Sequence, residues 1–423
     1  MSVEPTPEQH ALRREIIAFA RAELGRDAAE ADRGARFPRE DWQRCADFGV
    51  LGWPVPEEYG GRGLDPLTTM IALEALGYAC PDNGLVFAVT NHLWGCVIHL
   101  LLHGTEEQKR RFLPGLCDGS LIGAHALSEP EAGSDILSMT STAERDGDGY
   151  RLHGTKCFIS NGPVADVFVT IVRTGTEDPG RQDQLSAFVV PADTPGVVKK
   201  RELPKMGLRS TPMGVVEFDG ARVSAANLLG GEGAGYPVFT SAIEWERSFM
   251  FAPHVGAMER ILETCVRQAN TRRQFGRSLG SFQAVSHPIA DMKIRLDMAR
   301  LLLHRIGWLK REGRLALQEA TMAKIFISEG LIETAKAAVE LHGARGYLEE
   351  YGIERELRDA LGGPIYAGSN AVQRGILAEL IGVRGALSGG PVPGGVVPGG
   401  PVSGGSVSGG SAPGGASSGG EAR

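Results

Sequence analysis

No pair of cysteines in this 423-residue chain has C-x-x-C spacing; Cys45, Cys80, Cys96, Cys117, Cys157 and Cys265 are scattered. Such spacing supports neither a disulfide framework nor a zinc site, and it predicts reduced thiols in a cytoplasmic protein. Basic runs are missing as well. With a net charge of −7 the chain has no clustered Lys and Arg to displace the counterions of nucleic acid. The most apolar run, Leu93 to Leu102, is interrupted by His99 and is about half the length of a membrane span. The first ten residues are polar and acidic, which argues against a signal peptide. The G-x-S-x-G pattern falls only at 276–280 and 415–419, neither directly after a β-rich run, so no hydrolase elbow is expected. The glycines between Gly231 and Gly235 lack the last step and the βαβ setting of a dinucleotide loop. His92, His99 and His103 fall in one helical stretch, but no Glu completes a zincin pattern, so no metal site is expected.

Hydrophobic content of 42% and charged content of 22% are those of an ordinary globular protein with room for two or three domains. Residues 1–119 read as helical, with Leu12, Ile16, Phe19 and Ala20 at helical spacing. Across 120–232 the period changes to short β-rich runs, 149–159, 167–172, 185–190 and 214–218, separated by turn residues. Four such runs predict a small sheet or barrel. Helical periodicity returns over 233–386, where Ile294, Met298, Leu301, Leu302, Ile306 and Leu309 read as one buried stripe. Pro253 and Pro288 are expected to bend or start helices. Residues 387–423 repeat a Gly/Pro/Ser unit with too little apolar surface to offset ordering entropy, and are expected to be disordered. Helical, β and helical blocks in series favour an α+β fold.

The segment from His125 to Asp135 opens the β block with hydroxyls and a glycine. Ser128 and Ser134 suit a flat polar ring or an acyl carbonyl there, although composition alone favours a polar turn. Phe158 and Ser160 follow as an aromatic and a hydroxyl suited to the same ligand.

These residues carry a resemblance to the acyl-CoA dehydrogenase family. The motifs are A-L-S-E-P-E-A-G-S-D at 126–135, P-E-E-Y-G-G-R-G at 56–63, F-I-S-N-G at 158–162, R-R-Q-F-G at 272–276 with Gln283, and Y-A-G-S at 366–369. The likeness spans about residues 8 to 382. It implies a helical N-terminal domain, a central β-barrel and a C-terminal four-helix bundle. It also implies bound FAD and a homotetramer. By position, Ser128, Ser134, Phe158 and Ser160 are expected at the flavin ring. Arg272, Phe275 and Gln283 are expected to reach the FAD of an adjacent subunit, with Gly343 and Ser369 along the dinucleotide. Glu340 stands where the family has a neutral amide, which puts that contact in doubt.

Family members remove an α-proton from an acyl thioester while a β-hydride leaves for the flavin. Most hold the base in Y-E-G-T, where this chain has Ala367. The isovaleryl-type branch places it on an earlier helix before an arginine, the position of Glu246 and Arg247. Glu246 is therefore the expected base, with Arg247 and the backbone N–H of Ala367 toward substrate. The stretches 245–247, 270–276, 283–293 and 299–303 further resemble the prolyl-carrier-protein dehydrogenases of antibiotic pathways. The expected substrate is thus an acyl or aminoacyl thioester on CoA or a carrier protein. Electrons are expected to pass to an electron-transferring flavoprotein or similar acceptor. Glu244 could hold a substrate ammonium or lie on a solvated helix face. Rival readings are a short- or branched-chain acyl-CoA dehydrogenase, a flavin oxidase or monooxygenase, and a non-catalytic carrier-binding scaffold.

Overall fold

The structure is a computed structural model and describes residues 4–175, 181–383 and 385. The Gly/Pro/Ser repeat at 387–423 lies outside the described residues. Helix Pro7–Glu23 starts at a capping box in which Thr6 and Gln9 satisfy each other's backbone N–H, with proline in the first turn. Asp82 caps the next long helical run by accepting from the N–H groups of Gly84 and Leu85. That run, Asn83–His103, is long and apolar enough to cross a membrane, but 83% of its most apolar window is buried inside the protein. Its five residues Leu93–Val97 form a π-helical turn.

The N-terminal and C-terminal helices share one hydrophobic core. Ile16, Trp42, Leu73 and Trp94 are buried in the same cluster as Phe249, Val255, Leu296 and Ile327. Helices Pro66–Ala79 and Ala252–Thr271 cross closely enough to require glycine on both sides. A Cβ on Gly77 would lie 2.1 Å from the Pro253 carbonyl oxygen, and one on Gly256 2.1 Å from that of Glu74. Pro253 starts its helix, whereas Pro288 lies inside Gln283–Arg311. These two helices, with Gly235–Phe249 and Leu317–His342, are the long helices of the C-terminal block.

The expected buried stripe on Gln283–Arg311 is only half right. Ile306 and Leu309 are buried, but Ile294, Met298 and Leu301 are 61%, 54% and 48% exposed. The inward face is Met292, Leu296, Ala299 and Leu303. Two apolar faces share one helix, and the reading merged them because both recur at three and four residues.

Between the helical blocks lies an eight-stranded sheet ordered β6-β7-β3-β2-β4-β5-β8, with β1 added parallel to β4. Its strands are β1 Gly123–Ala126, β2 Thr142–Asp146, β3 Gly149–Ser160, β4 Val167–Arg173, β5 Leu185–Pro191, β6 Val197–Glu202, β7 Met213–Ser224 and β8 Leu228–Leu229. All seven residues of β4 are buried, because both faces are covered. Phe168 and Val172 pack with the sheet's own core, and Val167, Val169 and Ile171 pack toward the helices. Alternation on β1 does the same: Ala124 and Ala126 join the sheet core, so His125 between them faces the helices.

Candidate active site

The expected flavin-facing residues and the expected base fall on three segments, and the sheet brings two of them together. The ladder between β3 and β7 shifts register between Lys156 and Ile159. At that bulge Phe158 takes a left-handed φ of 62° and its ring stands 58% exposed. The Cys157 N–H donates to the Ser128 carbonyl at 2.8 Å, fixing the loop after β1 against the bulge. Ser128 and Ser160 are half-buried beside it, while Ser134 is exposed further along the loop. An exposed aromatic ring flanked by hydroxyls fits the face and edge of a flat polar ring.

What holds this loop escaped the sequence reading. Lys156 is fully buried; its Nζ donates to Glu129 Oε1 at 2.8 Å, the Ile171 carbonyl at 2.8 Å and the Leu127 carbonyl at 3.1 Å. Glu129 also accepts from the N–H groups of Thr140 and Ser141 at 2.7 and 3.0 Å and from the Thr140 hydroxyl at 2.9 Å. Burial raises the Glu129 pKa, but Lys156 and these donors outweigh it and bring it down to about 2. Burial lowers Lys156 to about 8, against the pull of Glu129. The signal was legible in β3, where Tyr150, Leu152 and Lys156 fall on inward positions two and four apart. Asn161 adds a second tie, donating from Nδ2 to the Ala88 carbonyl at 2.9 Å and so joining the sheet to helix Asn83–His103.

The third segment is helix Gly235–Phe249. Glu246 lies on it half-buried, and among the described residues its carboxylate makes no hydrogen bond or ion pair. Burial raises its pKa to about 7, against the opposing charge of Arg247. Arg247 is 3% exposed, and its Nε and Nη1 have no partner. Burial lowers it to about 10, against the nearby Glu246, Glu244 and Tyr236. A buried guanidinium with open N–H groups is costly unless something accepts from it. Its Nη2 lies 3.8 Å from where a Cβ on Gly368 would sit, which puts the 366–369 turn against this helix. Ala367 in that turn is buried with a left-handed φ of 55°. Among the described residues nothing accepts from its N–H. Ser369 is engaged as a helix cap, its Oγ accepting from the Val372 N–H at 3.3 Å, which leaves the hydroxyl hydrogen to donate.

Both expectations for Glu244 fail. It is buried, paired with Lys310 Nζ at 2.8 Å, and accepts from the Ala316 N–H at 2.6 Å. Its helix face is covered by the end of Gln283–Arg311 and the turn that joins it to Leu317–His342, which a single helix's spacing does not disclose.

Arg272 and Gly343 line one cleft of about 530 Å³ on the bundle, with Glu340 beside them. Gln283 is exposed at the start of its helix, and Phe275, at φ 51°, has its ring 92% exposed. No hydrogen bond among the described residues joins Arg272, Phe275 or Gln283 to the Glu246 group. Within one chain these are two separate sites.

The chain is similar to known proteins along most of its length. Residues 6–120, 124–221 and 233–382 match the N-terminal, middle and C-terminal domain models of acyl-CoA dehydrogenase. An L-prolyl-[peptidyl-carrier protein] dehydrogenase of Pseudomonas fluorescens is 44% identical over 81% of this chain and 90% of its own length. The crystal structure of the prolyl acyl carrier protein oxidase AnaB superposes with a TM-score of 0.87 at 43% identity, covering 90% of this chain and 100% of that one. The structure described as PigA with FAD and proline gives a TM-score of 0.88 at 35% identity, covering 91% of this chain and 100% of that one.

Proposed function

This chain belongs to the acyl-CoA dehydrogenase family, and from that premise we propose that it oxidises a prolyl group held as a thioester on a carrier protein, with Glu246 as base. One observation carries the assignment of the base. A carboxylate without a partner lies beside a buried, partly unpaired Arg247, while the position used by most of the family is Ala367. Catalytic bases serve best with a pKa near the working pH, and burial has brought Glu246 to about 7.

The chain's residues divide the work. The Glu246 carboxylate accepts the α-proton. The free N–H of Ala367 donates to the thioester oxygen as negative charge grows there, and Arg247 supplies positive charge nearby. Phe158, with Ser128, Ser160 and Ser134, forms the face and rim for the flavin, and the Lys156–Glu129 pair keeps that rim in place. FAD, when bound, supplies the acceptor for the β-hydride. The cleft with Arg272 and Gly343 is the seat for the dinucleotide of a second copy, reached also by Phe275 and Gln283. The exposed apolar face of Ile294, Met298 and Leu301 supports a homotetramer. A cytoplasmic place in an antibiotic pathway, with an electron-transferring flavoprotein as acceptor, completes the reading.

The test is mass spectrometry of a proline-loaded carrier domain after incubation with the holoenzyme. Loss of the mass of two or four hydrogens is expected. An unchanged mass, with turnover of a short-chain acyl-CoA instead, sinks the prolyl reading. AnaB is described as an oxidase, so oxygen is the competing acceptor. Rapid peroxide release during turnover would move this chain to that class.

A further inference from the structure

A second group of polar side chains lies on the same face of helix Gly235–Phe249 as the base. Phe239, Ile243 and Glu246 are spaced four and three apart, so they share that face. The Phe239 ring lies 6.5 Å from the ring of His125. His125 projects from β1 toward the helices, and its ring is 4.6 Å from that of His99. Asn91 belongs to the same group: a Cβ on Gly95 would lie 3.2 Å from His125 Cβ and 3.7 Å from Asn91 Oδ1. Asn91 and His99 flank the π-helical turn Leu93–Val97, whose widened backbone carries Gly95 at its centre.

These side chains have few partners. His99 is 1% exposed and, apart from a contact with the Gly95 backbone, its ring nitrogens have no hydrogen-bond partner; His125 Nε2 and Asn91 Oδ1 are also buried without one. Of the buried polar atoms left in this state, those of Asn91, His99 and His125 are gathered in one place, where a ligand or an ordered water would satisfy them. Both imidazoles are held neutral. Burial, with His125 and His103 nearby, puts His99 well below its usual range, and burial with Lys156 nearby puts His125 at about 4. A neutral imidazole keeps one acceptor nitrogen, and Asn91 adds an amide oxygen. With no carboxylate in it, the group offers an acceptor nitrogen on each imidazole and the Asn91 Oδ1, beside the imidazole N–H donors.

We propose that Asn91, His99 and His125 form the specificity site that receives the N–H of the substrate's ring amine. This rests on the prolyl reading above and deepens it. The helical run that carries Asn91 and His99 lies along helix Gly235–Phe249: Trp94 stacks on Trp245 at 6.1 Å between centroids, and His103 Nε2 is hydrogen-bonded to Ser241 Oγ at 2.5 Å. In a prolyl thioester the amine is bonded directly to the carbon whose proton is removed, so groups that accept from its N–H belong beside the base. An all-carbon acyl group offers no N–H and leaves these acceptors dry, which disfavours it.

The experiment compares two thioesters on one carrier domain, prolyl and cyclopentanecarbonyl, with holoenzyme and with His99→Leu, His125→Leu and Asn91→Leu. Each variant is expected to lose about tenfold or more in kcat/KM for prolyl, with the carbocycle's value changed much less. Equal losses for both thioesters, with FAD retained, overturn the amine site and leave these residues a packing role. Unchanged prolyl kinetics overturn it also. If the histidine variants shed FAD, Asn91→Leu decides, because it alters one amide at the edge of the π-turn. Wild-type enzyme that oxidises neither thioester overturns the prolyl reading itself, a result distinguishable from the others.

Discussion

Glu129 and Glu246 are both enclosed carboxylates, one in the sheet and one on the bundle, and they are treated in opposite ways. Glu129 has a lysine and three further donors and sits at about 2. Glu246 has none and sits at about 7. A group kept ionised by its surroundings has little affinity left for a proton, so it is suited to holding structure. An unsatisfied group is suited to taking a proton when the reaction offers one. Glu244, two residues before Glu246, is engaged by partners as Glu129 is: Lys310 pairs with it and the Ala316 N–H donates to it. The helix alone does not separate the two roles; what packs against each face does.

The comparison breaks most visibly at the base. Glu246→Gln is expected to lower kcat by about 10²–10⁴-fold while leaving the flavin spectrum intact. Activity within a few-fold of wild type would remove Glu246 from its role. Adding Ala367→Glu to that variant tests the two base positions against each other. Partial recovery is expected if the turn at 366–369 faces the same substrate carbon, and none if it does not.

The opposite member is probed by Lys156→Met. Glu129 is then left buried with its charge unpaired, and loss of about 3–5 kcal/mol is expected from thermal or denaturant unfolding. The same variant is expected to hold FAD less tightly, because the Leu127 and Ile171 carbonyls lose the donor that joins them. A stable variant with normal flavin content would mean that the loop is set by its backbone alone. Pairing Lys156→Met with Glu129→Gln sharpens the point, since removing both charges is expected to cost less than removing one.

Much of this was readable along the chain. The helical, β and helical blocks follow from hydrophobic period, and the spaced motifs around Ser128, Phe158 and Phe275 suffice to suggest the family. The unreadable part depended on what meets what across long separations. Glu129 and Lys156 are joined by a fold, not by spacing, and Asn91, His99 and His125 come from a helix and a strand whose sequence gives no hint of contact. The three histidines of one helical stretch invite a metal reading from spacing alone, whereas the ring packed against His99 is that of His125 on the neighbouring strand. The misread stripe on Gln283–Arg311 has the same cause: periodicity finds an apolar face without saying whether this chain or another covers it.

The smallest effect is also the one with opposed signs. Glu129 binds its proton less readily in the folded chain than in the unfolded one, where carboxylates titrate near 4.3. Its contribution to stability is therefore present above about pH 4.3 and is lost as pH falls toward about 2. Glu246 binds its proton more readily when folded, so its contribution is present at low pH and is lost as pH rises through about 7. Activity runs the other way, because only the ionised Glu246 accepts a proton. Below pH 7, kcat/KM is expected to fall about tenfold per unit. Thermal melts of wild type and Glu246→Gln should then draw apart between about pH 4.3 and 7, stay apart above pH 7 with the inactive variant the more stable, and converge below about pH 4.3. Parallel melts across that range would mean that Glu246 titrates as an ordinary surface carboxylate, and its difference from Glu129 would reduce to that of two charges with and without a partner.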